Sequence, residues 1–194
     1  MRENLRMRTA AFAFLLFFAI GAKAQDPCEF SANVTDSIGE YKSTVNYLVY
    51  ERNFAGNSSY IYFSLALTDG LPTLNVQFLQ KSKDFLKANC LDKNSRMYLQ
   101  LENGKVVTLI HIDAENCGTG VRNNDMNNRV MPGYFLFTKD AFGLLKTSPV
   151  SMVRIRYSTE TVDYIFKDEL QSEADGKKYN PSKYFVNTLH CLDN

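Results

Sequence analysis

Residues 96–113 read as two alternating runs that meet at Asn103-Gly104, with Cys90 before them and Cys117 after them. Asn-Gly between alternating apolar residues is the strongest short-range hairpin signal, because a two-residue type I′ turn needs positive φ at both central positions. A turn of that length sets the register: Leu101 opposite Val106, Leu99 opposite Thr108, Met97 opposite Ile110. Glu102 then opposes Lys105, an oppositely charged cross-strand pair that suits the same alignment. A chain that carries this hairpin inside a cysteine bracket is expected to be built from antiparallel strands.

The N-terminus reads differently. Arg2, Arg6 and Arg8 precede an apolar run at 10–20, and Ala22-Lys23-Ala24 places small residues two apart. That is the pattern of a secretory signal peptide cut after Ala24, giving a signal peptide at 1–24 and a single secreted β-rich domain at 25–194. The run is shorter than the roughly 20 residues a membrane-spanning helix needs, so no membrane insertion is expected after cleavage. Removing Arg2, Arg6, Arg8, Lys23 and Glu3 takes the 22 basic and 21 acidic residues to 18 and 20. A near-neutral, slightly acidic chain argues against nucleic acid as a partner.

Cys28, Cys90, Cys117 and Cys191 all follow the leader. An even number in an oxidising compartment reads as two disulfides with three possible connectivities. Cys90–Cys117, closing the base of the hairpin, with Cys28–Cys191 joining the chain ends, is the favoured arrangement. No C-x-x-C occurs and the two histidines, His111 and His190, lack ligand spacing, so neither a metal nor another cofactor is expected.

Along the chain, residues 41–50 read as one strand and 54–59 as a turn. In 60–68, Ile61, Phe63, Leu65 and Leu67 share one face at period two. Asp69-Gly70-Leu71-Pro72 breaks the chain, and Leu74, Val76 and Phe78 then alternate with Asn75 and Gln77. Short turns between successive strands favour antiparallel pairing. Residues 118–132, rich in asparagine and glycine, read as a long polar loop, functional or mobile, so that deleting Val121 to Val130 is expected to abolish binding and leave stability nearly unchanged. After a short strand at 133–138, Thr138 reads as the N-cap of a short helix that Ser148-Pro149 ends. Val153, Ile155 and Tyr157 then alternate with Arg154 and Arg156, and Val162, Tyr164 and Phe166 continue the pattern. Residues 170–178 read as an exposed loop, and Asn180-Pro181 opens a C-terminal helix with Phe185, Leu189 and Leu192 on its apolar face. The fold expected is mainly β: an antiparallel, sandwich-like domain with two short helices.

The order of these pieces resembles a group of small secreted proteins of Bacteroidetes-type bacteria with no assigned activity. The matching segments are Cys28, Asp36-Ser37-Ile38-Gly39, Cys90 ahead of Asn103-Gly104, the stretch from Phe137 to Leu145, Val153-Arg154-Ile155-Arg156, and Cys191. Ile38 stands where such proteins more often carry an aromatic residue, and 118–132 has no counterpart. The resemblance implies a secreted β-rich fold and carries over no catalytic or binding residue.

Candidate chemistry is sparse. His111-Ile112-Asp113 invites a hydrolytic triad, yet no G-x-S-x-G elbow is present, and alternation sets His111 opposite Ile110 and Ile112, half-exposed. His190 adjoins Cys191, but an even cysteine count leaves no free nucleophile. Asn123 to Asn128 lacks the calcium-loop spacing. Asp168, Glu169, Glu173 and Asp175 read as a solvated connection, and Arg154, Arg156 and Lys167 as an ordinary solvated face, with a basic stripe as the alternative. Because loops on a rigid scaffold carry function more often than strands do, the expected binding residues are Arg122, Asn124, Asp125, Asn127 and Arg129. The leading expectation is a non-enzymatic secreted or periplasmic domain recognising a protein or glycan partner. A hydrolase of an extracellular polymer using His111, and a structural component of a surface assembly, are the alternatives.

Overall fold

A computed structural model describes residues 27–37, 39–112 and 114–193. Residues 1–24, where a signal peptide is expected, together with Ile38 and Asp113, lie outside the described residues. The described residues form thirteen strands, eleven of them in one sheet: β1 (Phe30–Thr35), β2 (Glu40–Thr44), β3 (Tyr47–Phe54), β4 (Asn57–Thr68), β5 (Leu71–Ser82), β6 (Arg96–Leu101), β7 (Val106–His111), β8 (Thr119–Asn123), β9 (Met126–Phe137), β10 (Val150–Arg156) and β11 (Thr161–Ile165). The other two, β12 (Leu170–Gln171) and β13 (Lys178–Tyr179), form a separate small hairpin. Among the described residues two α-helices, α1 (Ala141–Thr147) and α2 (Tyr184–Thr188), accompany the strands, with 3-10 turns on either side of α2. The fold is mainly antiparallel β with two short helices, one of them C-terminal, as the alternation and the helix signals predict.

Three twelve-residue strands organise the sheet. β5 pairs with β4 from Ser58↔Lys81 to Thr68↔Leu71 and with β9 from Thr73↔Leu136 to Ser82↔Asn127. Both flanking strands outrun their next neighbours. The far edge of β4 is shared by β3 and β2, and that of β9 by β8 and β7. The expected single strand at 41–50 is therefore two, broken at Val45-Asn46 where the chain passes from one partner segment of β4 to the other.

The sheet doubles over instead of dividing into two. Phe63 on β4 meets Phe166 beyond β11 at 5.9 Å, Phe78 on β5 meets Tyr157 beyond β10 at 5.9 Å, and Tyr50 on β3 meets Tyr164 on β11 at 5.0 Å. These rings bridge the two halves of one sheet and close the core between them. Ile61, Phe63, Leu65 and Leu67 are all buried on the inner face, as are Leu74, Val76 and Phe78. α2 supplies Tyr184 and Phe185 as a plug, both within 6 Å of the Phe63 ring (5.6 and 5.9 Å).

Turn chemistry differs from the expectation in an instructive way. The Asn103-Gly104 connection is a three-residue loop: Gly104 alone takes positive φ (+82°), and Leu101 N–H donates to Lys105 O at 2.9 Å. The register moves by one residue, to Leu99↔Val107 and Met97↔Leu109. A one-residue shift exchanges the two faces of a strand. Val107, Leu109 and His111 point into the core, while Val106 and Ile110 face out. Glu102 lies in the loop and does not oppose Lys105; its N–H donates to Pro149 O. Two-residue turns with positive φ at both positions occur instead at Ala55-Gly56, Asp69-Gly70 and Asn124-Asp125.

The last of these overturns the loop at 118–132. That stretch is the β8–β9 hairpin, and ten residues of β9 pair with β5. Asparagine disfavours strands by propensity, but a complete ladder on a long central strand outweighs it. Two smaller expectations also change. Thr138 does not cap α1: the cap position is Asp140, and the Thr138 hydroxyl donates to Thr108 O at 3.1 Å. Residues 170–178 are the β12–β13 hairpin with Leu170 and Ser172 buried, laid over Leu48 and Tyr60 on the outer face of the sheet.

Two outcomes follow. Deleting residues 121–130 removes β8's pairing and the start of β9, so cooperative thermal unfolding followed by circular dichroism should be lost, not preserved. Phe63→Ala, which empties the contact between both halves of the sheet and α2, should cost about 3–5 kcal/mol in a denaturant melt.

Candidate functional site

Disulfides fix two regions of the molecule. Cys90 is bonded to Cys117 and Cys28 to Cys191, and no described cysteine is free. These two bonds suit an oxidising, extracellular-type environment, and no helix among the described residues is long and apolar enough to cross a membrane. Two side-chain groups have metal-like proximity, Cys28/His190/Cys191 and Cys90/Glu115/Cys117. In each the sulfurs are already joined to one another, so neither offers the thiolate that a metal would need.

The first concavity lies where the segment around Cys28 meets the C-terminal turns. The break between β2 and β3, the turn before α2 and the Cys28–Cys191 bond surround a half-open pocket of about 240 Å³. Val45 and Tyr47 form one wall, Asn187 and Thr188 the other, and Tyr184 the floor. The break between β2 and β3 shapes the pocket: Val45 keeps its N–H on Glu29 O at 3.1 Å while its side chain is 38% exposed. Tyr47 is fixed from three sides, by Asn180 N–H donating to its hydroxyl at 2.7 Å and by the rings of Tyr179 and Tyr184 at 5.1 and 5.3 Å. Thr44 Oγ1 accepts from Leu65 N–H, and the Thr188 hydroxyl donates to Tyr184 O at 2.5 Å. The Tyr184 hydroxyl sits among these threonines without a well-aligned hydrogen bond, and burial pushes its pKa far above the phenol range. The His190 Nε2 atom is 3.3 Å from Cys28 Sγ, behind the disulfide wall.

The second concavity opens at the other end of the doubled sheet. Ser59 on β4, Gln80 on β5 and Arg129 on β9 are direct cross-strand neighbours on the inner face. Beneath them Phe78, Met131, Tyr157 and Tyr164 form the floor. The Tyr157 and Tyr164 hydroxyls lie 2.9 Å apart. Burial raises both phenols, Tyr164 to about 12 and Tyr157 well above its usual value. At the edge, Lys87 is 2.9 Å from Glu160 and holds that carboxyl below the usual range.

The residues expected to bind a partner are dispersed. Asn124 and Asp125 form the tip of the β8–β9 hairpin, and Arg122 is a solvent-exposed neighbour of Asp125 at 3.9 Å. Asn127 donates to Lys83 O and Asp84 O at 3.2 and 2.8 Å, tying the hairpin to the segment after β5. Arg129 alone points into a cleft. The sequence reading missed Tyr47, Tyr184 and Asn187, whose convergence depends on α2 docking across the chain ends.

The histidine and carboxylate candidates are accounted for differently than expected. His111 is 3% exposed, not half-exposed; its Nδ1 lies 2.9 Å from Asp92 O and its ring edges onto Phe135 at 5.4 Å. It lines neither concavity. Asp168, Glu169, Glu173 and Asp175 are each held by a separate partner (Ser182, Lys178, Asn53 and Tyr179), so no two work as a pair. Arg154 is clamped by both oxygens of Asp163 at 2.7 Å, which removes it from the basic stripe.

Phenols with raised folded-state pKa values favour the folded chain below the unfolded value near 10 and lose that contribution as pH rises through the folded value. With no tryptophan in the chain, absorbance at 295 nm reports tyrosine alone. Tyr157, Tyr164 and Tyr184, all raised by burial and Tyr164 to about 12, should ionise only together with unfolding, as one cooperative step in the 295 nm signal. No protein-family model, no curated protein and no solved structure matches this chain.

Proposed function

We propose that this chain is a secreted, disulfide-braced binding domain that recognises a protein or glycan partner through the pocket at the junction of its two ends. The observation that carries the reading is the half-open pocket of about 240 Å³ that Tyr47, Tyr184, Thr44, Thr188 and Asn187 line together. Concave sites of mixed apolar and directional polar lining are the default binding sites of small domains. Tyrosine gives such a site contact area with little rotamer entropy to lose. The lining carries no cation, and its carboxylate, Glu29, is exposed. That composition suits a compact neutral group: a sugar ring at a glycan end, or an uncharged side chain of a peptide. The leader at 1–24 and the resemblance to secreted Bacteroidetes-type proteins support export, as do the two disulfides. Export as a unit also gives the Cys28–Cys191 bond a purpose, since it holds the pocket wall in place.

The test is a chemical-shift titration of the 15N-labelled domain with a panel of neutral mono- and disaccharides and N-acetylated amino-acid amides. Binding should move the amides of Thr44, Tyr47, Asn187 and Thr188 together. Val45→Trp, which fills the mouth of the pocket from an exposed position, should weaken that binding about tenfold or more. Shifts confined to other surfaces, or unchanged affinity in the Val45→Trp protein, would reject the site.

A further inference from the structure

The two disulfides differ in what stands beside their sulfurs. Cys28 and Cys191 both line the half-open pocket of about 240 Å³, so a small molecule entering it meets the bond directly. His190 is not part of that lining, and its Nε2 is 3.3 Å from Cys28 Sγ and 3.7 Å from Cys191 Sγ. Whichever sulfur leaves this bond as a thiolate therefore does so against the same imidazole. Cys90–Cys117 has a carboxylate in the corresponding place: an oxygen of Glu115 lies within 4.8 Å of both sulfurs. The guanidinium of Arg129 nearby is turned to the Cys117 carbonyl oxygen.

These neighbours have opposite effects on disulfide exchange. The reaction is an attack by a thiolate on one sulfur, and its rate depends on how readily the other sulfur departs and on access to the bond. A histidine beside the departing sulfur favours it by positive charge or by giving it a proton, and histidine exchanges protons near neutral pH. A carboxylate repels the arriving thiolate and the departing one alike.

From this contrast we infer that Cys28–Cys191 is a thiol-exchange site, entered through the pocket, with the His190 imidazole as its proton donor. A small thiol attacks one sulfur as its thiolate. The S–S bond breaks, a mixed disulfide forms with the attacked cysteine, and the electron pair goes to the sulfur of the other. His190, protonated, gives that sulfur its proton and takes one back from the next thiol to ionise. One thiol and one disulfide thus become one mixed disulfide and one cysteine thiol. An uncharged thiol is preferred to an anionic one, because the lining holds no cation and its carboxylate, Glu29, is exposed. Opening the bond removes the covalent tie between the segment ahead of β1 and the C-terminal 3-10 turn. The exchange uses the pocket as an entry, whatever partner the pocket otherwise takes.

Timed exposure of the folded protein to 2-mercaptoethanol, followed by alkylation and peptide mapping by mass spectrometry, tests the site. Cys28 and Cys191 should open at least about tenfold faster than Cys90 and Cys117, with the first adduct on one of the former pair. His190→Gln should slow that opening about tenfold, leave Cys90–Cys117 unchanged, and lose its effect in denaturant. At equal thiolate concentration, 2-mercaptoethanesulfonate should react more slowly than 2-mercaptoethanol at Cys28–Cys191. If His190→Gln does not fold, Val45→Trp, which narrows the entry, should slow the same bond, and the two bonds' rates in the unaltered protein decide with it. Equal rates at the two disulfides, an unchanged rate in the His190→Gln protein, or equal reaction with the two thiols would each overturn the assignment.

Discussion

Everything in this molecule depends on the ladder in which β5 is held between β4 and β9. Eleven residue pairs join β5 to β4 and ten join it to β9. With that many bonds on both sides, no strand can slip without turning its apolar set outward, so the inner face is fixed along its whole length. Phe63 and Phe78 must then face inward, where they meet Phe166 and Tyr157 from the far half of the sheet. The doubling-over follows from that burial, because a twelve-residue strand with aromatic residues on one face is stable only when another layer covers it.

Both concavities are ends of this arrangement. At one end β4 outlasts β3 and takes up β2, and the break at Val45-Asn46 leaves a gap that α2 only partly fills. At the other end the inner face runs out of apolar residues. Beyond the row Ile61, Phe78 and Met131, the next cross-strand row is Ser59, Gln80 and Arg129. Since β-sheet side chains alternate at period two, the row that comes after the core faces inward too. Its polar groups then stand at the mouth of the core instead of on the outer surface. The disulfides sit beside these two ends: Cys28–Cys191 walls the first pocket, and the carbonyl of Cys117 holds Arg129 at the second.

The hairpin around Gly104 shows how a local signal can be read correctly in kind and wrongly in detail. Asn-Gly serves a two-residue turn, but glycine equally serves the single left-handed position of a three-residue one. The choice was made by burial: only the three-residue loop sets Val107 and Leu109 against Leu99 and Met97 on the core side. His111 was carried inside by the same shift. At Asn124-Asp125 the reverse happened, since a stretch with poor strand propensity was drawn into the ladder by β5, which lies more than forty residues away in sequence.

The sequence by itself determined the class of the fold, because alternation at period two is imposed by strand geometry and needs no knowledge of partners. It marked the inner faces of β4, β5 and β10, the apolar side of the C-terminal helix, and the presence of two disulfides. Only the tertiary structure decided which strands are neighbours, because β5 lies beside β9 and not β6 through contacts between distant segments. It also decided where functional groups converge. Tyr47 and Asn187 are 140 positions apart, as are two walls of a pocket that exists only once the chain ends are joined. Long-range pairing is a property of the whole chain's packing, and no window of local sequence contains it.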